Sequence, residues 1–146
     1  PFVRRKIIDK LNGTNFVFTN VICPTAVVSP YAKIGKGVLI CSHCVVGPNS
    51  NLNDHSVMNI QAIVGHDIQI GENCVLSSQV NIGGGSILGT DIYIGMASIV
   101  KEGLTIGNRA VLGMGSALHR NLEGGYLAMG NPARPIRKLD DDFRIF

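Results

Sequence analysis

No tryptophan occurs in the 146 residues, and aromatic residues make up only 5% of them. A broad globular core built on aromatic rings is therefore excluded. Charge is also sparse: charged residues amount to 16%, with a net charge of +3. No cluster of Lys and Arg interleaved with aromatics occurs, so a nucleic-acid surface is not indicated. The chain has no apolar run long enough to span a bilayer and no signal peptide, so no membrane insertion is expected and the cytoplasm is the expected location. The four cysteines are in keeping with that location. Cys41-Ser42-His43-Cys44 is the one place where thiols and an imidazole crowd together. A zinc site needs four converging ligands and no second Cys/His cluster follows, so no metal is expected.

What the chain has instead is glycine, 18 of them, and a long-lived period. Seventeen apolar residues fall at strict six-residue spacing: Ile22, Val28, Ile34, Ile40, Val46, Leu52, Met58, Val64, Ile70, Leu76, Ile82, Leu88, Ile94, Val100, Ile106, Leu112 and Leu118. Neither a helix, with a period of about 3.6, nor an isolated strand, with a period of about 2, produces a repeat of six. A hexapeptide solenoid does. Two positions before each apolar residue a small side chain recurs, as at Ala26, Cys44, Ser50, Ser86 and Ser116, and directly after it glycine is frequent, as at Gly47, Gly65, Gly83 and Gly95. Glycine tolerates positive φ and close backbone approach, so one every six residues predicts a turn every six residues.

Three short strands and three turns close one triangular coil of eighteen residues. Ile34, Leu52, Ile70, Leu88 and Ile106 should then stack in one inward column. The expected fold is an all-β, left-handed parallel β-helix of about five coils over residues 22–120, roughly 25 Å long at the usual interstrand spacing. Cys44 and Cys74, at the small inward position, should be structural thiols.

The ends leave the period. Residues 1–21 read as a remnant of an N-terminal domain or linker. A helix is predicted from Arg4 to Leu11, stopped by Asn12-Gly13, followed by a short strand at Phe16-Val17-Phe18. This helix has no obvious partner in the sequence. Residues 121–146 read as a cap and tail, with Tyr126–Ala133 expected to cover the last coil, since an open end would expose unpaired strand edges. Arg134, Arg137 and Lys138 make the next segment basic, and Asp140-Asp141-Asp142 makes the extreme tail acidic.

Function has to come from a site on this scaffold. Val64-Gly65-His66-Asp67 places an imidazole at an outward corner beside a carboxylate, a pairing that fixes a tautomer and raises basicity. Eighteen residues on, one coil up, lies Gly83-Gly84-Gly85, whose unobstructed N–H groups suit a thioester carbonyl or its oxyanion. Asn59, on the preceding corner of the same coil, is a candidate to orient a ligand or the imidazole. The other histidines, His43, His55 and His119, read as surface residues. A solvated polar turn is the bland alternative for His66-Asp67, and glycine-rich turns are ordinary in this fold.

The hexads, Asn59 seven residues before His66-Asp67, the Gly83-Gly84-Gly85 stretch and the closing Met129-Gly130-Asn131-Pro132-Ala133-Arg134 resemble the hexapeptide-repeat sugar acyltransferases of the NeuD/PglD-like family, which are sialic acid O-acetyltransferases and UDP-4-amino-sugar N-acetyltransferases. The likeness covers about residues 20–138. It implies a homotrimer with acetyl-CoA between neighbouring prisms, His66 as general base and Asp67 as its orienting acid. It also implies backbone groups of Gly84, Met96 and Met114 along the thioester and pantetheine arm. The acceptor would be the amine or hydroxyl of a sugar, commonly a nucleotide-linked amino sugar. Charge near the Gly-Asn-Pro-Ala end adds Arg134, Arg137 and Lys138 as candidates for the coenzyme phosphates.

Three departures from the family pattern stand out. Val75 occupies the place where some members carry a second histidine, and Gly65 the place where several carry Glu. The family's N-terminal βαβ domain, which binds the nucleotide sugar, would be represented only by its last helix and strand, residues 4–18. Two alternatives follow: a non-catalytic trimerising scaffold, and a metal-dependent enzyme like the gamma-class carbonic anhydrases. The latter needs three converging histidines, typically two of them five apart, whereas the spacings here are 12, 11 and 53.

Overall fold

The computed structural model describes residues 1–140, 143 and 145. The chain winds as a parallel β-solenoid whose two-residue strands build three faces. Face A stacks Val21–Ile22, Leu39–Ile40, Val57–Met58, Val75–Leu76, Tyr93–Ile94 and Val111–Leu112. Face B stacks Val27–Val28, Val45–Val46, Ile63–Val64, Asn81–Ile82, Ile99–Val100 and Ala117–Leu118. Face C stacks Lys33–Ile34, Asn51–Leu52, Gln69–Ile70, Ile87–Leu88 and Thr105–Ile106. Every pair within these stacks is parallel and offset by one coil, as in Gln69↔Ile87 and Ile70↔Leu88. The predicted column is therefore the core: Leu52, Ile70, Leu88 and Ile106 are all buried.

The small inward residues do more than leave room. Ser50 Oγ donates to the carbonyl of Gly65, Ser56 Oγ to Gly71 and Ser98 Oγ to Gly113, each one coil up the stack. Cys44 and Cys74 replace the hydroxyl with a thiol in the same role, donating to the carbonyls of Asn59 and Gly89. Burial pushes the Cys74 thiol up to about 12, and Cys44 upward as well. Both are free, inert thiols of the interior.

The glycine expectation needs correction. The left-handed backbone falls three residues after the apolar position, on His43, Asn49, His55, Gln61, Asp67, Asn73, Gln79, Asp91, Ala97 and Arg109. Polar side chains there tolerate the conformation and bond along the stack, as Gln79 to Gln61 and Asn73 to Asp91 do. The glycines directly after the apolar residue serve close approach instead. A Cβ on Gly83 or Gly95 would lie under 3.0 Å from the backbone of the next coil.

There are about six coils rather than five. The winding outlasts the hexads: Leu122 bridges to Ile106, and Tyr126–Gly130 adds a parallel strand to face A beside Val111–Leu112. Strand Ala133–Lys138 then reverses antiparallel to Tyr126–Gly130 and closes the end of the stack. Of the acidic run, Asp141 and Asp142 lie outside the described residues.

At the other end a helix, α1, spans Phe2–Leu11 and ends at Asn12, whose N–H donates to the Ile8 carbonyl. Its partner is the solenoid itself. Arg5 pairs with Glu72 at 2.7 Å and Asp91 at 3.0 Å, Ile8 is buried, and Arg109 lies over the Phe2 ring. The strand expected at Phe16-Val17-Phe18 does not form. Phe16 and Val17 are exposed, and the Asn20 carboxamide anchors the segment to Gly35 and Val38. Phe18 instead packs edge-on against His55, which is buried and not the surface residue expected.

Candidate active site

The corner between faces B and C carries the residues singled out around His66. Asp67 sits at the left-handed turn position, with φ 56. Its Oδ2 lies 2.7 Å from His66 Nδ1. One coil below, Asn49 occupies the same turn position, with φ 58, and its Nδ2 donates to Asp67 Oδ1 at 3.1 Å. These two contacts, His66 first and Asn49 second, hold the Asp67 carboxyl below the usual carboxylate range. An ionised carboxylate only accepts, so Nδ1 carries the ring proton and Nε2 is left as the acceptor. Both side chains are open to solvent, at 68% and 56% exposure.

One coil above, Gly84 faces the ring. A Cβ there would lie 2.6 Å from His66 Nε2, and the neighbouring Gly85 N–H donates to the His66 carbonyl at 2.9 Å. The absence of a side chain at Gly84 is thus what lets the imidazole lie against the next coil. Gly65 is less tightly constrained: a Cβ would lie 3.0 Å from the Gly84 nitrogen, so a side chain there needs only a small shift of the next coil.

Asn59, Met96 and Met114 gather elsewhere. With Ser77, Ser78, Tyr93, Gly95 and Gly113 they line a groove of about 460 Å³ on the corner between faces A and B. That corner and the His66 corner border opposite edges of face B, so a single prism does not bring the two sets together. Arg134 pairs in register with Met129, which lines the upper end of the groove. Lys138 pairs with Tyr126 at the far end of the hairpin, and neither it nor Arg134 or Arg137 lines the groove. Arg137 is engaged with Asp140 at 3.6 Å and lies over Phe143. Val75 contributes to a separate apolar cavity of about 370 Å³ between α1 and face A.

Sequence reasoning missed Asn49, Ser77 and Ser78. The signal was present for each: Asn49 stands eighteen residues before Asp67, Ser77 eighteen after Asn59 and Ser78 eighteen before Met96. Among the described residues no group of three or more His, Cys, Asp or Glu side chains converges as a metal site. No helix of the described residues is long and apolar enough to cross a membrane.

No protein-family model and no curated protein matches the chain. Solved structures do. A histidine-to-alanine variant of GDP-perosamine N-acetyltransferase from Caulobacter crescentus, in complex with CoA and GDP-perosamine, superposes with a TM-score of 0.90 at 31% identity, covering 93% of this chain and 65% of that one. The acetyltransferase domain of PglB from Neisseria gonorrhoeae gives 0.89 at 29% identity, over 92% and 65%. AntD, an N-acyltransferase from Bacillus cereus, shares the fold at a TM-score of 0.74 and 18% identity, over 93% and 88%. These neighbours are hexapeptide-repeat sugar acyltransferases, so the resemblance stated from the sequence is met by solved structures. The chain spans about two thirds, 65%, of the length of the first two.

Proposed function

We propose that this chain is the catalytic β-helix of an acetyl-CoA-dependent acetyltransferase acting on the amine, or hydroxyl, of a nucleotide-linked amino sugar. The observation that carries the reading is the His66 ring, held by Asp67 through Nδ1 and set with Nε2 against the bare backbone of Gly84. The complexes with CoA, acetyl-CoA and GDP-perosamine seen in structural neighbours supply the substrate class. The groove at Asn59, Met96 and Met114 fits an acyl-pantetheine arm, with methionine walls for its chain and the Ser77 and Ser78 hydroxyls for its amides. Acetyl-CoA supplies an activated acyl carbon with a thiolate leaving group.

In this mechanism Nε2 of His66 takes a proton from the acceptor amine as the nitrogen attacks the thioester carbonyl. Asp67 stabilises the imidazolium that results, and the Gly84 N–H donates to the oxyanion. The C–S bond then breaks, and the imidazolium returns its proton to the departing sulfur. Direct transfer needs no acylated cysteine, and the thiols of Cys44 and Cys74 are buried away from it.

The assembly we infer is a trimer packed through face B. On face A, α1 packs near Val75 and Tyr93 and the terminal hairpin extends the sheet, while face C presents Lys33, Asn51, Gln69, Ile87 and Thr105. Face B carries more exposed apolar side chains than either other face, Val27, Val45, Ile63 and Ile99, with Asn81 between the last two. Three prisms with face B turned to a common axis put the His66 corner of one protomer beside the Asn59, Met96 and Met114 corner of the next. That arrangement unites the two half-sites that one chain holds apart.

His66→Ala should lower turnover by about 10²–10⁴-fold without changing the oligomer. The measurement is a thiol-release assay with acetyl-CoA and a panel of nucleotide-linked amino sugars, beside sedimentation of both proteins. Near-full activity in the variant would remove His66 from the mechanism.

A further inference from the structure

We propose that the polar groove on face C, just below the His66 corner, docks a phosphorylated sugar ring; as an acceptor subsite it rests on the acetyl-transfer reading above. The groove holds about 230 Å³ and is lined by Tyr31, Lys33, Asn49, Asn51 and Gln69. Two adjacent rows build it. Tyr31 and Asn49 are successive residues of the corner row that ends at Asp67, and Lys33, Asn51 and Gln69 are successive outward residues of face C. The next outward residue up the face is Ile87, so the polar row stops at the level of the acid–base pair.

Continuity with the catalytic corner is direct. Asn49 lines the groove and also donates to Asp67 at 3.1 Å. A ligand seated there lies against Asn49, which holds the acid that positions the general base.

The lining selects the ligand chemistry. Three carboxamides both donate and accept, as sugar hydroxyls require. Lys33 contributes a positive charge and no carboxylate lines the groove, so a phosphate is matched. Tyr31 is 74% exposed, an open ring face against which a pyranose can pack. A second polar cavity, lined by Asn53, Asp54, Glu72 and Thr90, carries two acids and repels the same ligand. At about 230 Å³ the groove is smaller than the 300–1,000 Å³ of drug-sized sites, so it takes one ring with its phosphate and leaves a base outside.

The test uses α-glucose 1-phosphate as probe and reads the side-chain amide signals of Asn49, Asn51 and Gln69 by NMR. Saturable shifts at these amides are expected, with about tenfold weaker binding in Lys33→Gln and in Tyr31→Ala, the size of one lost charge-assisted contact. Both positions are exposed, so folding is not at stake; thermal melts confirm it. In the transfer assay the same variants should raise KM for the sugar acceptor about tenfold and leave KM for acetyl-CoA unmoved. Amides that do not shift, or an unchanged acceptor KM, overturn the proposal. Inorganic phosphate binding as tightly as the sugar phosphate overturns its sugar component. A wild-type protein that acetylates no nucleotide-linked amino sugar, yet shows Lys33-dependent shifts, sinks the acetyl-transfer reading and leaves the sugar-phosphate site standing.

Discussion

Asp67 takes its ionised state from two donors, the His66 ring and the Asn49 carboxamide. Because its folded-state value lies below that of the unfolded chain, this contact stabilises the corner at neutral pH. It is lost only as pH falls through the lowered value. Asn49→Ala removes one donor, so the Asp67 carboxyl should titrate closer to its ordinary range and the stabilisation should fail at a higher pH. Carboxyl carbon NMR titration of the two proteins checks the direction. Gly84 makes the complementary point about space. Gly84→Ala keeps the N–H but drives a methyl into the imidazole, 2.6 Å from Nε2. Activity should fall by about 10²-fold, the cost of a misplaced reacting group, with the melting temperature little changed.

At the scale of the element, each coil contributes three apolar residues to a narrow interior and bonds only to its neighbours. Leu88 sits in the middle of the face C column, between Ile70 and Ile106. Leu88→Ala should cost about 2–5 kcal/mol in denaturant melts, the usual range for a buried leucine. The terminal elements follow a different logic, since α1 is held chiefly by Arg5 between Glu72 and Asp91 and by Ile8.

The whole molecule is a prism with three unlike faces: one partly covered by α1, one mostly polar and one mostly apolar. Face B is where copies should meet. Ile63→Asp with Ile99→Asp would force carboxylates into that contact, where desolvation disfavours them. The double variant should sediment as a monomer with an intact β spectrum, and turnover should fall by about 10²-fold or more because the half-sites separate. A variant that keeps both its assembly and its activity would show that face B is not the seam.

Much of this was legible in the chain, because a solenoid writes its geometry as a period. Six-residue spacing set the number of faces, the eighteen-residue register and the inward column. Register in turn put Gly84 above His66. Adjacency in sequence was enough for the His66–Asp67 contact. The sixth coil was not legible, since Leu122 and Tyr126–Gly130 wind on backbone pairing without hexads. Nor was the docking of α1, which depends on charges 67 and 86 residues away. The burial of His55 under Phe18 has the same origin. What the sequence determined by itself was everything that repeats with the winding. Only the tertiary structure decided which faces are covered and which cavities open at the corners, because covering and cavity shape depend on contacts between segments that share no period.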